Sequence, residues 1–198
     1  MSVRAFLALE LPPEAKQAIA TALGPTAERC AGLRRTALEG LHLTLRFLGE
    51  TSPEQIEALV AELAPEAARC VPAAARVAGL GLFPERGAPR ILWLAVELSE
   101  PFLELQRACE AAACRLGFEP EPRPFRPHLT LGRWRERVPR PELAPLGVGP
   151  VRLDRLVLFR SRLDARSAVY TPLHTFALGA TTRDRGLLDM PHSPGRTS

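Results

Sequence analysis

A chain of 198 residues can bury one sizeable core, or two small lobes with a shared interface, and is too short for several independent domains. Its 46% hydrophobic and 24% charged content is that of a soluble enzyme, and its apolar runs break at charges before reaching a membrane-spanning length. The net charge of +4 favours an anionic partner; of the 26 basic residues all but Lys16 are arginine, whose planar fork suits phosphate, although genomic composition accounts for the bias equally well.

Taken in chain order, the opening segment from Met1 is apolar only briefly and has no small-residue cleavage site, so it reads as a first strand of a cytoplasmic protein, over Phe6 to Leu11. Pro12 and Pro13 then open a helix that runs to Leu23 and ends or kinks at Gly24-Pro25. Lys16 lies at the start of that helix, a poor place for a nucleotide-carrying nucleophile. An irregular, arginine-rich stretch from Gly32 to Gly40 leads into His42-Leu43-Thr44-Leu45, and Ser52-Pro53-Glu54-Gln55 starts a helix with Ile56, Leu59, Val60 and Leu63 at helical spacing. Strands over Ala73 to Phe83 and Arg90 to Leu98 flank a Pro- and Gly-rich hairpin connection, and a helix from Pro101 to Leu116 stops at Gly117.

A proline-rich approach delivers the chain to His128-Leu129-Thr130-Leu131. After a loop over Arg137 to Pro150, strands over Val151 to Phe159 and Ala168 to Leu178 close the fold. The order of elements predicts an α+β domain over 1–180 with two antiparallel sheets, followed by a flexible tail over 181–198. The four cysteines, Cys30, Cys70, Cys109 and Cys114, form no Cys-x-x-Cys pair and read as free thiols.

The repeated tetrapeptide carries the chemistry. On a strand, alternation sends His and Thr to one face and both leucines to the other. Either copy alone reads most simply as an exposed histidine on a strand, but two of only four histidines in identical settings point to a duplicated site. Two imidazoles can hold one neutral base and one protonated acid at neutral pH, as phosphodiester hydrolysis requires, with the threonine hydroxyls donating to phosphoryl oxygens. No carboxylate or cysteine sits beside either histidine at ligand spacing, so neither a metal nor another cofactor is expected. By alternation Arg46 shares the face of His42 and Thr44, and Arg133 points away unless Gly132 permits a bulge. Trp93 reads as core or interface, Trp134 and Phe47 as packing residues that could also stack a base, and His174 and His192 as ordinary exposed residues.

These residues, together with Arg4-Ala5-Phe6-Leu7-Ala8-Leu9, Leu41 to Gly49, Gly79 to Pro84, Pro89 to Leu94, Arg123 to Leu131 and Tyr170 to Leu173, resemble the two-histidine phosphoesterases. Within them the chain is most similar to the bacterial and archaeal RNA 2',3'-cyclic phosphodiesterases, historically called 2'-5' RNA ligases. The resemblance implies a bilobal, pseudo-twofold α+β fold with a central groove between two sheets and helices outside. It implies metal-independent hydrolysis of RNA 2',3'-cyclic phosphate ends to 2'-phosphates, with ATP-independent 2'-5' ligation as a side activity. His42 becomes the proton donor, His128 the proton acceptor, and Thr44, Thr130 and Arg133 the phosphate-binding residues, so that Arg133 displaces Arg46. The expected partner is RNA or a small nucleotide cyclic phosphate, met by a monomer without membrane attachment. A basic RNA-binding module without catalysis is the alternative. The stretch Arg34 to Gly40 departs from the family by lacking the tryptophan or proline expected there.

Overall fold

A computed structural model of the protein describes residues 1–163 and 168–179. The expected tail over 181–198, and His192 within it, lie outside the described residues. Strands β1 (Val3–Glu10), β2 (Arg34–Arg35), β3 (His42–Thr51), β4 (Ala73–Phe83), β5 (Ile91–Glu97), β6 (His128–Arg133), β7 (Gly147–Leu153), β8 (Arg155–Leu163) and β9 (Ala168–Ala177) form one antiparallel sheet. Its order is β7-β4-β5-β6-β3-β1-β8-β9, with β2 added beside β6. The two expected sheets are the halves of this one, joined where β3 meets β6 through a single register pair, Leu43 opposite Leu129.

The order reads alike from either end: β3 answers to β6, β1 to β5, β8 to β4 and β9 to β7. A pseudo-twofold axis therefore passes through the Leu43–Leu129 pair, whose members hold the second place in the two tetrapeptides. Helices α1 (Pro13–Arg29), α2 (Pro53–Arg69) and α3 (Glu100–Arg115) all cover one face, where Ile19, Leu59, Leu63, Phe102 and Leu105 pack with Leu7, Leu9, Leu43, Leu94 and Leu129. That face is the hydrophobic core, and what remains of each strand's alternation looks the other way.

Helix α2 starts at the predicted capping box, with Ser52 Oγ accepting from Gln55 N and the Gln55 side chain accepting from Ser52 N. Helix α1 departs from expectation by running through Gly24-Pro25 to Arg29. Proline removes one backbone bond, but Leu23 and Thr26 on either side of it are buried, and that packing keeps the helix going. The expected strand over Val151 to Phe159 is two strands broken at Asp154, and the expected loop ends at Gly147, not at Pro150. β7 pairs with β4 while β8 pairs with β1, so the chain crosses from one half of the sheet to the other at that residue. Pro150 is tolerated because β7 is an edge strand. The four cysteines are free, and no helix among the described residues is long and apolar enough to cross a membrane.

Candidate active site

The central pair of strands brings the two tetrapeptides side by side. In each, the two leucines are buried in the core while the histidine and threonine are half-buried on the face away from the helices. Glu10 lies opposite His42 and Ala95 opposite His128, equivalent places about the pseudo-axis. Strands of β period two cannot bury the leucines without turning both imidazoles and both hydroxyls to this face.

The fourth motif residue breaks the alternation in both strands. Opposite Leu7 and Ala8 stand Arg46 and Thr44, and opposite Leu92 and Trp93 stand Gly132 and Thr130. Leu45 and Leu131 are thus the extra residues of two equivalent bulges, and the residues directly after each change face; β3 shifts register once more at Leu48. Arg46 turns into the core, where its side chain is 6% exposed and pairs with Glu110 at 2.7 Å and Glu121 at 3.8 Å. Arg46 therefore does not share the face of His42, contrary to simple alternation. Arg133 turns onto the face of His128 and Thr130, as the bulge permitted by Gly132 requires. A Cβ on Gly132 would stand 2.8 Å from both Arg34 O and Leu33 Cδ1, so only glycine lets β2 lie against the bulge. The residue equivalent to Arg133 on the other half is Phe47, which is 58% exposed.

Each histidine is oriented by the carbonyl two residues before it. His128 Nδ1 lies 2.7 Å from Arg126 O, and His42 makes the matching backbone hydrogen bond to Gly40. A ring Nδ1–H donated to a carbonyl leaves Nε2 as the proton-exchanging atom. Burial pushes the His42 imidazole from the usual 6.5 down to about 4, the Gly40 bond opposes this, and the Lys16 and His128 charges add to it. His128 is lowered by burial and by the Arg126 and Arg133 charges, against its bond to Arg126. Both rings are consequently neutral at pH 7 in the free protein.

This shift sets a stability window. An unfolded imidazole takes up its proton near 6.5 and the folded His42 only near 4, so unfolding binds a proton between these values. Stability is full above pH 6.5 and falls toward pH 4, by on the order of 3 kcal/mol from this residue. Urea unfolding midpoints measured from pH 7 to 4 are expected to drop less steeply in His42→Phe than in the unaltered protein.

Several ring residues at the site escape sequence reasoning. Phe6, Phe159 and Tyr170 surround His42, with ring centroids 4.7, 6.1 and 5.0 Å away. Phe83 and Trp93 flank His128 at 5.3 and 6.2 Å. Of the two readings for Trp93, core or interface, the core does not hold: Leu92, Leu94 and Val96 take the core positions of β5 and leave Trp93 beside Thr130. Trp134 is core: it is 4% exposed, and its Nε1 donates to Ala31 O. His174 is half-buried in β9 with its ring 4.5 Å from that of Phe176. Among the described residues no group of three or more His, Cys, Asp or Glu side chains is placed to hold a metal ion.

Residues 11–165 match the model of the 2'-5' RNA ligase superfamily. The chain is 34% identical over 178 residues to the RNA 2',3'-cyclic phosphodiesterase of Geobacillus stearothermophilus, a match covering 87% of this chain and 56% of that protein, so the chain spans little more than half its length. It is 31% identical over 185 residues to the protein of the same name from Methanothermobacter thermautotrophicus, covering 90% of this chain and all (100%) of that one. The crystal structure of E. coli LigT complexed with 3'-AMP superposes with a TM-score of 0.79 at 27% identity, over 91% of this chain and 100% of that one.

Proposed function

The chain belongs to the 2'-5' RNA ligase superfamily, and on that premise we propose that it hydrolyses RNA 2',3'-cyclic phosphate ends to 2'-phosphomonoesters by two-histidine acid–base catalysis. The observation that carries the proposal is the juxtaposition of two carbonyl-oriented imidazoles across the Leu43–Leu129 seam. In this reading the cyclic phosphate lies over the seam. His128 Nε2 takes a proton from water, which attacks phosphorus in line with the 3' oxygen, and His42 protonates that oxygen as it leaves. Thr44 and Thr130 donate to the non-bridging oxygens, where charge grows in the transition state.

The charges around the two rings suit these roles. Burial, aided by the Arg126 and Arg133 charges beside it, keeps His128 neutral, as a base must be. His42, held near 4 by burial, takes up the proton a general acid must carry once an anionic phosphate lies beside it and favours the imidazolium. Titration of His42 by NMR is expected to move up from about 4 when a nucleoside monophosphate binds.

Arg133 is read as the phosphate clamp because the bulge puts it on the motif face. Its loss removes a charge-assisted hydrogen bond, so Arg133→Ala is expected to lower kcat/KM on the order of 10- to 100-fold. Phe47, exposed at the equivalent place beside His42, offers a ring for the terminal base. One chain supplies both motifs, so a monomer suffices, and a cytoplasmic enzyme is part of the same reading.

The deciding experiment incubates an oligonucleotide ending in a cyclic phosphate across pH with EDTA present. A bell-shaped rate profile, indifference to chelation and a 2'-phosphate product are expected. Loss of activity on chelation would move the reading to a metal site, and binding without turnover would leave an RNA-binding module.

A further inference from the structure

Eight of the nine strands pair off about the pseudo-axis, and β2 is the strand left over. It is two residues long and is held in place from several sides. Arg35 Nη2 donates to Ala20 O of α1 at 3.1 Å, Thr36 N donates to Leu131 O at 2.8 Å, and Gly132 lets the strand lie against the bulge. Arg34 stands directly opposite Arg133, and opposite residues of an antiparallel pair share a face with Cβ atoms about 5 Å apart. With Arg35 turned to the helices, Arg34 lies on the motif face beside Arg133. Alternation returns Arg135 to that face, and Arg34 and Arg135 share a hollow of about 260 Å³ with Trp134 and Glu136. Arg46, Arg115 and Arg126 each face a glutamate, whereas the side chains of Arg34, Arg133 and Arg135 have no ion pair or hydrogen bond among the described residues. Like charges directly opposite on a sheet destabilise the pair, and an anion lying between them removes that cost.

The cyclic phosphate does not account for all three guanidinium groups. It carries one negative charge and two non-bridging oxygens, and Thr44, Thr130 and Arg133 already serve it. What Arg34 and Arg135 face follows from the direction of the seam. β2 extends the seam beyond the first residue of β3, while β3 runs from His42 the other way to Phe47, so Arg34 and Phe47 lie at opposite ends with the histidines between. In ribose, C1' and C4' flank the edge formed by C2' and C3'. A sugar whose O3' meets His42 and whose base lies on Phe47 therefore sends C5' toward Arg34. We infer that Arg34 and Arg135 seat the phosphodiester on the 5' side of the terminal nucleotide, one linkage in from the cyclic phosphate held by Arg133. The inference rests on the hydrolytic reading above and narrows its substrate to polynucleotide ends, because a mononucleoside cyclic phosphate has no second phosphate to offer. Contacts to phosphate carry no base preference, and each charged one contributes on the order of tenfold in affinity.

The test compares adenosine 2',3'-cyclic phosphate, a diadenylate ending in a 2',3'-cyclic phosphate, and the same diadenylate with an uncharged methylphosphonate at its internal linkage. In the unaltered protein the charged diadenylate is expected to exceed the other two about tenfold or more in kcat/KM, chiefly through KM. Arg34→Gln is expected to lower kcat/KM about tenfold more for the charged diadenylate than for either of the others, and Arg135→Gln acts in the same direction. Arg34→Lys, which keeps the charge, recovers most of the loss, and raised salt shrinks the difference between Arg34→Gln and the unaltered protein. Arg133→Ala lowers turnover of all three alike. If Arg34→Gln fails to fold, Arg135→Gln and the comparison of the two diadenylates in the unaltered protein decide. Equal turnover of the two diadenylates by the unaltered protein, or equal losses on all three substrates in Arg34→Gln, overturns the inference while leaving the hydrolytic reading intact. Absence of turnover of every substrate by the unaltered protein overturns both.

Discussion

Replacing either His42 or His128 with alanine is expected to lower turnover of a cyclic-phosphate end about 10² to 10⁴-fold, with the circular dichroism spectrum unchanged. Neither imidazole holds the sheet together: the leucines between and after them are the buried members of each motif, and alanine is accommodated at a half-buried strand position. The two losses should not multiply, because acid and base act in one concerted event. Leaving-group chemistry separates the roles. A substrate with sulfur in place of the 3' oxygen departs as a thiolate, which has a conjugate-acid pKa of about 8.5 and needs no proton. That substrate is expected to restore His42→Ala to within about tenfold of the unaltered enzyme and to leave His128→Ala impaired. The opposite pattern would exchange the two roles across the pseudo-axis, and full activity of both variants would end the two-histidine mechanism.

How much of this was legible in the residues depends on what each strand shows on its two faces. The tetrapeptides were readable because alternation of histidine and threonine against leucine has only one buried solution. The place of β5 was readable but its orientation was not, since Ile91, Trp93 and Ala95 are as apolar as Leu92, Leu94 and Val96, and either set could have entered the core. Core and interface therefore stay equally open for Trp93 in the sequence. The bulges at Leu45 and Leu131 leave no mark in a period-two pattern; Gly132 hinted at one of them, and nothing in Leu45-Arg46-Phe47 hinted at the other. The break at Asp154 is likewise invisible, because two strands that pair at opposite ends of a sheet can follow each other with a single residue between them. The helix through Pro25 shows tertiary burial overriding a local breaker. In each case the missing information is a partner strand or a packing surface distant in the chain.

Arg46 provides the sharpest test of the bulge, because alternation and structure assign it opposite duties. As a phosphate clamp on the motif face, its loss would cost activity and leave stability unchanged. As a core residue, it holds β3 to α3 and to the segment that approaches the second motif. Its Nε approaches Glu110 Oε2 at 2.7 Å, although the N–H is not aimed along the contact, so the pair acts through charge and not as a directed hydrogen bond. Its Nη1 donates to Phe47 O at 2.7 Å, and its Nη2 donates to Glu119 O. Glu110 Oε1 in turn accepts from Glu121 N, fixing the start of the chain that ends at His128. Arg46→Met removes the guanidinium at the centre of this cluster and leaves the partly buried Glu110 carboxylate, 25% exposed, without its cation. The expected cost is about 3 to 5 kcal/mol in urea unfolding. Adding Glu110→Gln to Arg46→Met is expected to recover part of the loss, since the uncompensated charge is then gone. At a temperature where Arg46→Met remains folded, its KM and pH–rate profile should match those of the unaltered enzyme. A variant of normal stability with a raised KM would return Arg46 to the phosphate and remove the bulge at Leu45 from the account.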